Sequence, residues 1–394
     1  MKGLYIHIPF CEKKCHYCDF VITGRGSAPK RQRFLSALAS EMDHKIKSAE
    51  DQTFDTLYIG GGTPSALDAG ESRKLFELIE SRFMFNSGSE KTLEANPGDL
   101  TFEKAALYRK AGINRISLGA QSFREETLHG INRAHGSKAI SESFKILRDT
   151  GFDNISLDLI LELPGETLED VRFSLDKLLE LGPEHVSLYE LTVEERTVFG
   201  RLQKEGKLVL PREETSLQML QTARQFLKDN GFVHYELLSY AKPGRESKHN
   251  LLYWANEEYL GLGPGAFSYL GGRRFRSSSS YEEYLSKIEA GDWTSLEDDT
   301  LSPDKKEIES FLLALRLTEG VQASKFSGLI SKLTVPLERL AGQELLSVDD
   351  RIVRLTPKGQ LFAETVFTEL SPPYEGGVGE VKALDPSAFG TSPS

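Results

Sequence analysis

The sequence predicts an α/β protein: a partial barrel of six parallel strands, each followed by a helix, with a small C-terminal domain that is winged-helix-like and mainly helical. Two observations lead to this prediction. In roughly the first half of the chain, short apolar segments alternate with segments of helical spacing, which is typical of successive β–α–β units around a parallel sheet. Beyond residue 303 this alternation stops and compact helices follow. Right-handed crossovers would wind six such units into an open barrel.

The individual elements follow from local patterns. Apolar segments bounded by turn residues predict strands over residues 4–9, 54–59, 92–95, 115–119, 154–161 and 185–191, and a further strand near residues 235–240. Apolar residues at helical spacing predict helices over residues 30–48, 71–82, 102–110, 137–149, 168–181 and 212–230. Gly112, Gly151 and Gly182 lie just beyond three of these helices, at positions where glycine commonly ends a helix.

Composition divides the chain into four parts. We expect the barrel over residues 1–200, a barrel extension with linking elements over 201–290, the winged-helix-like domain over 291–370 and a disordered tail over 371–394. The tail is rich in Pro, Gly and Ser and shows almost no periodicity. Winged-helix domains often bind DNA, but residues 301–370 carry 9 basic and 10 acidic side chains. A lid or docking role is therefore the better expectation.

The charge and hydropathy of the chain exclude several classes of function. Its 48 basic and 59 acidic side chains give a net charge of −11, which argues against a protein that binds nucleic acid through the phosphate backbone. No segment approaches the length of apolar sequence that spans a bilayer. The N-terminus leads directly into a predicted strand, so we expect no signal peptide. With three unpaired cysteines, the expected compartment is a reducing cytoplasm.

All three cysteines fall within one window of eight residues, Cys11-x3-Cys15-x2-Cys18. An odd and clustered set cannot form the disulfide framework of a chain this long. Structural zinc sites usually have four ligands in two separated pairs, and no second pair exists here, although His16 lies in the same loop. An iron–sulfur cluster fits the spacing better, because three thiolates would leave one iron open to another ligand. Zinc or an inert loop is the alternative.

Polar or glycine residues follow the predicted strands, at the edge where parallel barrels bind their ligands. They are Cys11, Cys15 and Cys18 after the first strand, Gly60 to Thr63 after the second, then Glu94, Gln121 and Asp158, with Arg133 behind the fourth. Taken singly, the glycines would most often form a tight turn, and Glu94 and Arg133 would be solvated surface residues. Their convergence on the cysteine loop predicts one site instead.

The segment Tyr5-Ile-His-Ile-Pro-Phe-Cys11-x3-Cys15-x-Tyr-Cys18-Asp-Phe20 resembles the cluster loop of radical S-adenosylmethionine (SAM) proteins. More narrowly, it is similar to proteins related to oxygen-independent coproporphyrinogen III oxidase. The resemblance covers residues 2–275 well and the terminal domain loosely. It implies a [4Fe–4S] cluster whose open iron is chelated by the amino and carboxylate groups of SAM.

The resemblance also implies roles for single residues. Tyr5, Gly61 and Glu94, with the three cysteines, match positions around the cluster-bound SAM, and Glu94 suits the ribose hydroxyls. A second set matches positions that hold a second SAM in the oxidase: Gly62, Thr63, Gln121, Arg133 and Asp158. The turn at 263–266 is expected near the adenine edge, or is a plain turn. No residue is assigned a catalytic role.

Two departures from the oxidase pattern indicate the heme chaperone branch of this family, the HemW type. The oxidase has a fourth cysteine two residues after the third, where this chain has Phe20. It also has a long N-terminal segment for which this sequence has no room. In addition, His249-Asn-Leu-Leu-Tyr253-Trp254 resembles a motif of that branch. His249 is therefore a candidate heme ligand, the alternative being a core histidine with packed aromatics.

The sequence thus predicts a heme chaperone that binds a [4Fe–4S] cluster, SAM and heme and passes heme to an acceptor protein. The alternative is coproporphyrinogen III oxidation initiated by reductive cleavage of SAM, and a third class is a metal-stabilised scaffold without SAM chemistry. The expected partners are a heme acceptor and an electron donor protein, with no nucleic acid. A peripheral membrane contact and a monomeric or weakly dimeric state complete these expectations.

Overall fold

In the computed structural model, residues 1–47, 52–276 and 278–371 are described. They form one large sheet of 12 strands with helices packed on it, and a small C-terminal unit with its own three-stranded sheet. The large sheet does not close on itself. This confirms the predicted partial barrel with a smaller, mainly helical C-terminal region.

The first half of the chain contains the parallel part of the sheet and the loop that follows its first strand. Its strands are β1 (Lys2–Ile8), β2 (Phe10–Cys11), β3 (Thr23–Gly24), β4 (Thr53–Gly61), β5 (Met84–Ala95), β6 (Arg115–Gln121), β7 (Ile155–Leu161) and β8 (His185–Glu190). Strands β1, β4, β5, β6, β7 and β8 pair in that order, all parallel, whereas β2 and β3 pair only with each other. The predicted six-strand order is therefore correct.

Helices cover this sheet. They are α1 (Ala28–Lys47), α2 (Ala69–Glu80), α3 (Phe102–Lys110), α4 (Glu125–Gly130), α5 (Ser137–Asp149), α6 (Leu168–Leu181), α7 (Val198–Lys204) and α8 (Glu213–Asp229). The Asp68 side chain caps α2, and the Thr101 and Thr167 hydroxyls cap α3 and α6. Such caps satisfy free backbone N–H groups at a helix start.

The two edges of the large sheet were not predicted in full. On one side β9 (Val233–Glu236) and β10 (Ser239–Ala241) form an antiparallel pair where one strand was expected. On the other side α9 (Lys248–Trp254) leads into β11 (Glu258–Leu262), which pairs parallel with β1. The remaining elements of this side are β12 (Phe267–Leu270), β13 (Arg273–Arg276), α10 (Tyr281–Glu289) and β14 (Leu296–Thr300).

The C-terminal unit has its own apolar core, formed by residues such as Phe311, Leu340 and Val353. Its elements are α11 (Pro303–Ala314), β15 (Val321–Gln322), α12 (Ser327–Lys332), α13 (Thr334–Gly342), β16 (Leu346–Val348), β17 (Ile352–Leu355), α14 (Pro357–Leu361) and α15 (Ala363–Leu370). Because β14 still pairs with β13, residues 296–300 belong to the large sheet. The predicted tail lies, apart from Ser371, outside the described residues.

Alternation along the strands makes the barrel interior polar. On β6, Ile116, Leu118 and Ala120 join the main apolar core, and the residues between them point to the opposite face of the sheet. Ser117 is one of these, and its hydroxyl donates to the Asp158 carboxylate of the neighbouring β7. The interior therefore holds buried polar groups that can bind a ligand. None of the described helices is both long enough and apolar enough to cross a bilayer.

Candidate functional site

The three cysteines line one pocket at the end of β1. Cys11 is buried, and Cys15 and Cys18 are partly exposed. The loop is fixed by backbone hydrogen bonds, since His16 N–H donates to Ile131 O at 3.1 Å and its carbonyl accepts from Phe199 N–H at 3.0 Å. Burial raises the pKa of the Cys11 thiol to about 11 and that of Cys18 to about 12. Metal binding at these thiols would therefore release protons.

The donor set of this pocket consists of three thiols. Among the described residues, no three His, Cys, Asp or Glu side chains are grouped around one metal position. An iron–sulfur cluster takes one thiolate on each of several irons. Three thiols that line one pocket therefore suit such a cluster, with one iron open to another ligand.

The glycine turn after β4 packs directly against the cysteine loop. Gly62 N–H donates to Ile8 O at 2.8 Å. A Cβ atom at Gly62 would lie 2.9 Å from Phe10 O and 3.1 Å from Cys11 Sγ, so a side chain would displace the loop. Gly61 has a φ of 108°, a conformation that favours glycine. Both glycines and Thr63 line the pocket with the cysteines, as the sequence predicted.

Glu94, the penultimate residue of β5, is a buried acceptor beside the glycine turn. Its carboxylate accepts from the Tyr58 hydroxyl at 2.7 Å and from Gly61 N–H at 3.1 Å. Burial raises the pKa of Glu94 to about 8, although both hydrogen bonds oppose this shift. Tyr5 stacks on Tyr58 with ring centroids 6.1 Å apart. Tyr5 and Glu94 therefore belong to one buried cluster, joined through Tyr58.

Substitution of Glu94 by Gln is expected to change the pH dependence of stability in protein free of iron and SAM. A folded-state pKa of about 8, raised from 4.5, means that the contribution of Glu94 to the free energy of unfolding is fully present below pH 4.5 and is lost as the pH rises through 8. Glu94→Gln cannot ionise and avoids this loss. From pH 5 to pH 9, the free energy of unfolding of the variant should therefore rise relative to that of wild type by on the order of 2–4 kcal/mol. Urea unfolding at both pH values measures it.

The exposed Glu103→Gln variant is the matched control and should follow wild type at both pH values. A Glu94→Gln variant that also follows wild type would show that Glu94 is ionised in the folded protein at neutral pH.

Arg133 reaches the pocket from the segment behind β6 and is buried, not on the surface. Its guanidinium donates to Gly119 O at 2.7 Å and to Asn96 Oδ1 at 2.6 Å, and lies 3.5 Å from Cys15 Sγ. The Cys15 and Cys11 thiols line the same pocket as Arg133. A cation held in this position can stabilise negative charge on the sulfurs or on an anionic ligand.

Asp158 and Gln121 lie in the barrel but do not line the cysteine pocket. The Asp158 carboxylate accepts from the hydroxyls of Ser117 and Ser156, and burial raises its pKa. Gln121 is buried at the end of β6, where the strand register shifts and its φ is 63°. A left-handed conformation at a non-glycine residue is uncommon and often occurs at functional sites.

The structure does not bring His249 to this pocket. It is 0% exposed in the barrel interior, with Nδ1 2.7 Å from Thr56 Oγ1 and Nε2 2.8 Å from the Tyr253 hydroxyl. Burial lowers its pKa to about 3, so the ring is neutral. Both ring nitrogens are hydrogen-bonded, which matches the core-histidine alternative. Ligation of heme by His249 stays a prediction, and it requires this part of the core to open.

The glycine turn after β11 contacts the cysteine loop from the other side. Gly263 has a φ of 94°, and a Cβ there would lie 2.5 Å from His7 O. A Cβ at Gly265 would lie 2.7 Å from Val21 Cγ2. The turn therefore requires glycine for close packing; its expected place near adenine stays a prediction.

Five pocket residues were not singled out by sequence reasoning as binding residues: Lys13, Tyr17, Phe20, Ile22 and Asn96. Asn96 follows the Glu94 strand end directly and precedes a proline, so it resembles an ordinary turn residue. Its position just beyond a polar strand end was the only available signal.

Comparison with known proteins agrees with this geometry. Residues 5–178 match the model of the Radical SAM superfamily, and residues 301–362 match the HemN C-terminal domain. The cysteine loop and most of the parallel strands of the large sheet thus lie in a radical SAM domain. Heme chaperone HemW of Bacillus subtilis (strain 168) is 38% identical over 93% of this chain and 98% of its own length. That of Escherichia coli (strain K12) is 32% identical over 93% and 97%. The chain belongs to the heme chaperone HemW family.

A solved structure shows the same fold. It is described as "Coproporphyrinogen III oxidase (HemN) from Escherichia coli is a Radical SAM enzyme", with a TM-score of 0.84, 24% identity, and coverage of 94% of this chain and 89% of that one. At this identity the similarity establishes the architecture and leaves the activity open.

Proposed function

We propose that this protein is a heme chaperone with a radical SAM core, which binds heme and transfers it to an acceptor protein. The observation that carries the proposal is the pocket in which Cys11, Cys15 and Cys18 meet the glycine turn and Arg133. The relatives named heme chaperone HemW support the heme part of the proposal. In line with this function, we expect the protein to be located in the cytoplasm and to have an electron donor protein as a partner.

In this proposal the three thiolates hold a [4Fe–4S] cluster, which when bound supplies an iron site open to the methionine part of SAM. Gly61 and Gly62 pack closely against the segment that leads into the cysteine loop, and their backbone would line one side of the SAM position. Glu94 would accept from ribose hydroxyls, and Arg133 would bind a carboxylate. Asp158 and Gln121 would contribute to a second SAM position deeper in the barrel.

Coproporphyrinogen III oxidation is the second candidate, because the solved oxidase has the same architecture. Phe20 argues against it. This side chain lines the pocket together with Cys18, at the position where the oxidase pattern has a further cysteine. An apolar ring there cannot replace a thiol as a ligand or as a donor of protons.

Anaerobic reconstitution with iron and sulfide, followed by separate titrations with heme and with coproporphyrinogen III, tests the proposal. Binding of heme that can be passed to an apo-hemoprotein, without formation of protoporphyrinogen, is the expected result. Absence of heme binding would contradict it.

Glu94→Ala is expected to weaken SAM binding while the cluster stays intact, because the Glu94 carboxylate bonds to Tyr58 and Gly61 and not to a cysteine. Loss of a buried acceptor should cost about 1–3 kcal/mol, or roughly 5- to 150-fold in affinity. Calorimetric titration of reconstituted protein with SAM measures this loss. Glu103→Ala, at an exposed position, is the control, and an unchanged SAM affinity in Glu94→Ala would remove Glu94 from the site.

A further inference from the structure

Two side chains outside the cysteine loop contact its sulfurs, and a single amide joins them. Thr63 Oγ1 lies 3.4 Å from Cys11 Sγ, and Arg133 Nη1 lies 3.5 Å from Cys15 Sγ. Asn96 hydrogen-bonds to both of these side chains. Its Oδ1 is 2.6 Å from Arg133 Nη2 and its Nδ2 is 2.9 Å from Thr63 Oγ1. The chain of contacts therefore runs from one cysteine to another through Asn96.

The position of Asn96 is fixed by its backbone. Its N–H donates to Ser65 Oγ at 2.9 Å, and the Ser65 hydroxyl donates to Asp99 Oδ2 at 3.0 Å. Ser65 is 0% exposed and lies in the short 3₁₀ turn Pro64–Ala66 that follows Thr63. Asn96 and Thr63 are thus held against each other by the same turn.

The chemistry of the partners fixes which group donates and which accepts in this series of hydrogen bonds. A guanidinium can only donate, so the amide oxygen of Asn96 must face Arg133. The amide nitrogen then faces Thr63, and because it can only donate, Thr63 Oγ1 must accept from it. The single hydroxyl proton of Thr63 is left to donate elsewhere, and Cys11 Sγ is within reach.

We propose that Asn96 is a positioning residue that aims the Thr63 hydroxyl proton at the Cys11 sulfur and holds Arg133 against the Cys15 sulfur. Hydrogen bonds and positive charge at the ligand sulfurs stabilise the more negative, reduced form of an iron–sulfur cluster. Asn96 therefore helps to set the reduction potential of the proposed centre. This inference rests on the proposed cluster, but the direction of the Thr63 hydroxyl does not.

The Asn96→Asp variant tests the direction without changing the size of the side chain. A carboxylate still accepts from Arg133, but it can only accept from Thr63 as well. The Thr63 proton would then turn away from Cys11. Thr63→Val removes the same proton by another route, and the double variant separates the negative charge added by Asn96→Asp from the loss of the hydrogen bond.

Redox titration of reconstituted protein, followed by electron paramagnetic resonance, gives the first measurement. Both single variants should lower the midpoint potential, and the double variant should shift it by less than the sum of the two, because the same hydrogen bond is lost only once. Fully additive shifts, or an unchanged potential in Asn96→Asp, would overturn the inference. Thermal melting checks that each variant is folded.

The second measurement is the rate of alkylation of the metal-free protein by iodoacetamide at one fixed pH. Loss of the hydroxyl donor should slow modification of Cys11 roughly 2- to 10-fold, the range expected for one hydrogen bond, while Cys18 serves as an internal reference. Wild-type protein that assembles no cluster would contradict the proposed function alone. In that event, equal Cys11 rates in wild type, Asn96→Asp and Thr63→Val would overturn the inference, and slower rates in both variants would support it.

Discussion

Replacement of Cys11, Cys15 and Cys18 by Ala is expected to abolish the cluster and leave the barrel folded. The described residues contain no fourth free cysteine to replace a lost ligand. None of the three belongs to the main apolar core of sheet and helices. Iron and sulfide in anaerobically reconstituted protein should fall from about four of each to near zero in the triple variant. Its melting temperature without iron should stay close to that of wild type.

His16→Ala is the matched control, because His16 lies in the same loop and is the side chain there that would complete a Cys₃His zinc site. Its Nδ1 is 3.1 Å from Gly130 O, so it has a structural partner outside the cysteines. The variant should keep its iron and sulfide. A triple variant that still takes up a full complement of iron and sulfide would contradict the cluster assignment, and zinc lost on His16→Ala would favour the zinc alternative.

The sequence predicted the central fold well because that part is encoded locally. Helices α3, α5 and α6 were placed at their observed ends. Thr101 and Thr167 cap the starts of α3 and α6, and Gly151, with a positive φ, lies just beyond the end of α5. The six apolar segments predicted the parallel strands for the same reason. Each feature depends on residues within one or two turns of the chain.

Strands β11 to β14 were missed because their pairing is not local. Strand β11 lies beside β1, with Tyr5 opposite Gly261, although the other five parallel strands lie between them in the sequence. Only the turn just beyond this strand, at 263–266, was predicted from the sequence. No local sequence pattern indicates that Gly261 packs so close to Phe267 O that a Cβ atom at this position would clash with it.

The site was predicted where residues follow strand ends, and missed where a contact depends on three-dimensional packing. The glycine turn and the cysteines meet because their strands β1 and β4 are neighbours in the sheet. Asn96 joins Thr63 and Arg133 through side-chain contacts that spacing cannot show. The burial of His249 depends on Gly3, whose missing side chain leaves space for the imidazole.

The reconstituted protein is expected to bind heme and to form no protoporphyrinogen from coproporphyrinogen III. Its relatives in the heme chaperone family and Phe20 in the cysteine pocket motivate this expectation. Heme binding is measured by the Soret band and transfer by its appearance on an apo-hemoprotein. Turnover is measured anaerobically with SAM and a reductant. Formation of protoporphyrinogen under these conditions would overturn the chaperone assignment.

Two variants decide whether His249 is the heme ligand. Because Nε2 is held by the Tyr253 hydroxyl, Tyr253→Phe frees this nitrogen and should tighten heme binding about 2- to 10-fold, the value of one competing hydrogen bond. His249→Ala should lose the Soret band while SAM binding persists. It also leaves a cavity and two hydroxyls without this partner, at a cost of about 2–4 kcal/mol, so heme is titrated only where melting shows a folded variant. Heme spectra identical to wild type in both variants would keep the chaperone assignment and discard His249, because a ligand cannot be removed without changing the iron spectrum.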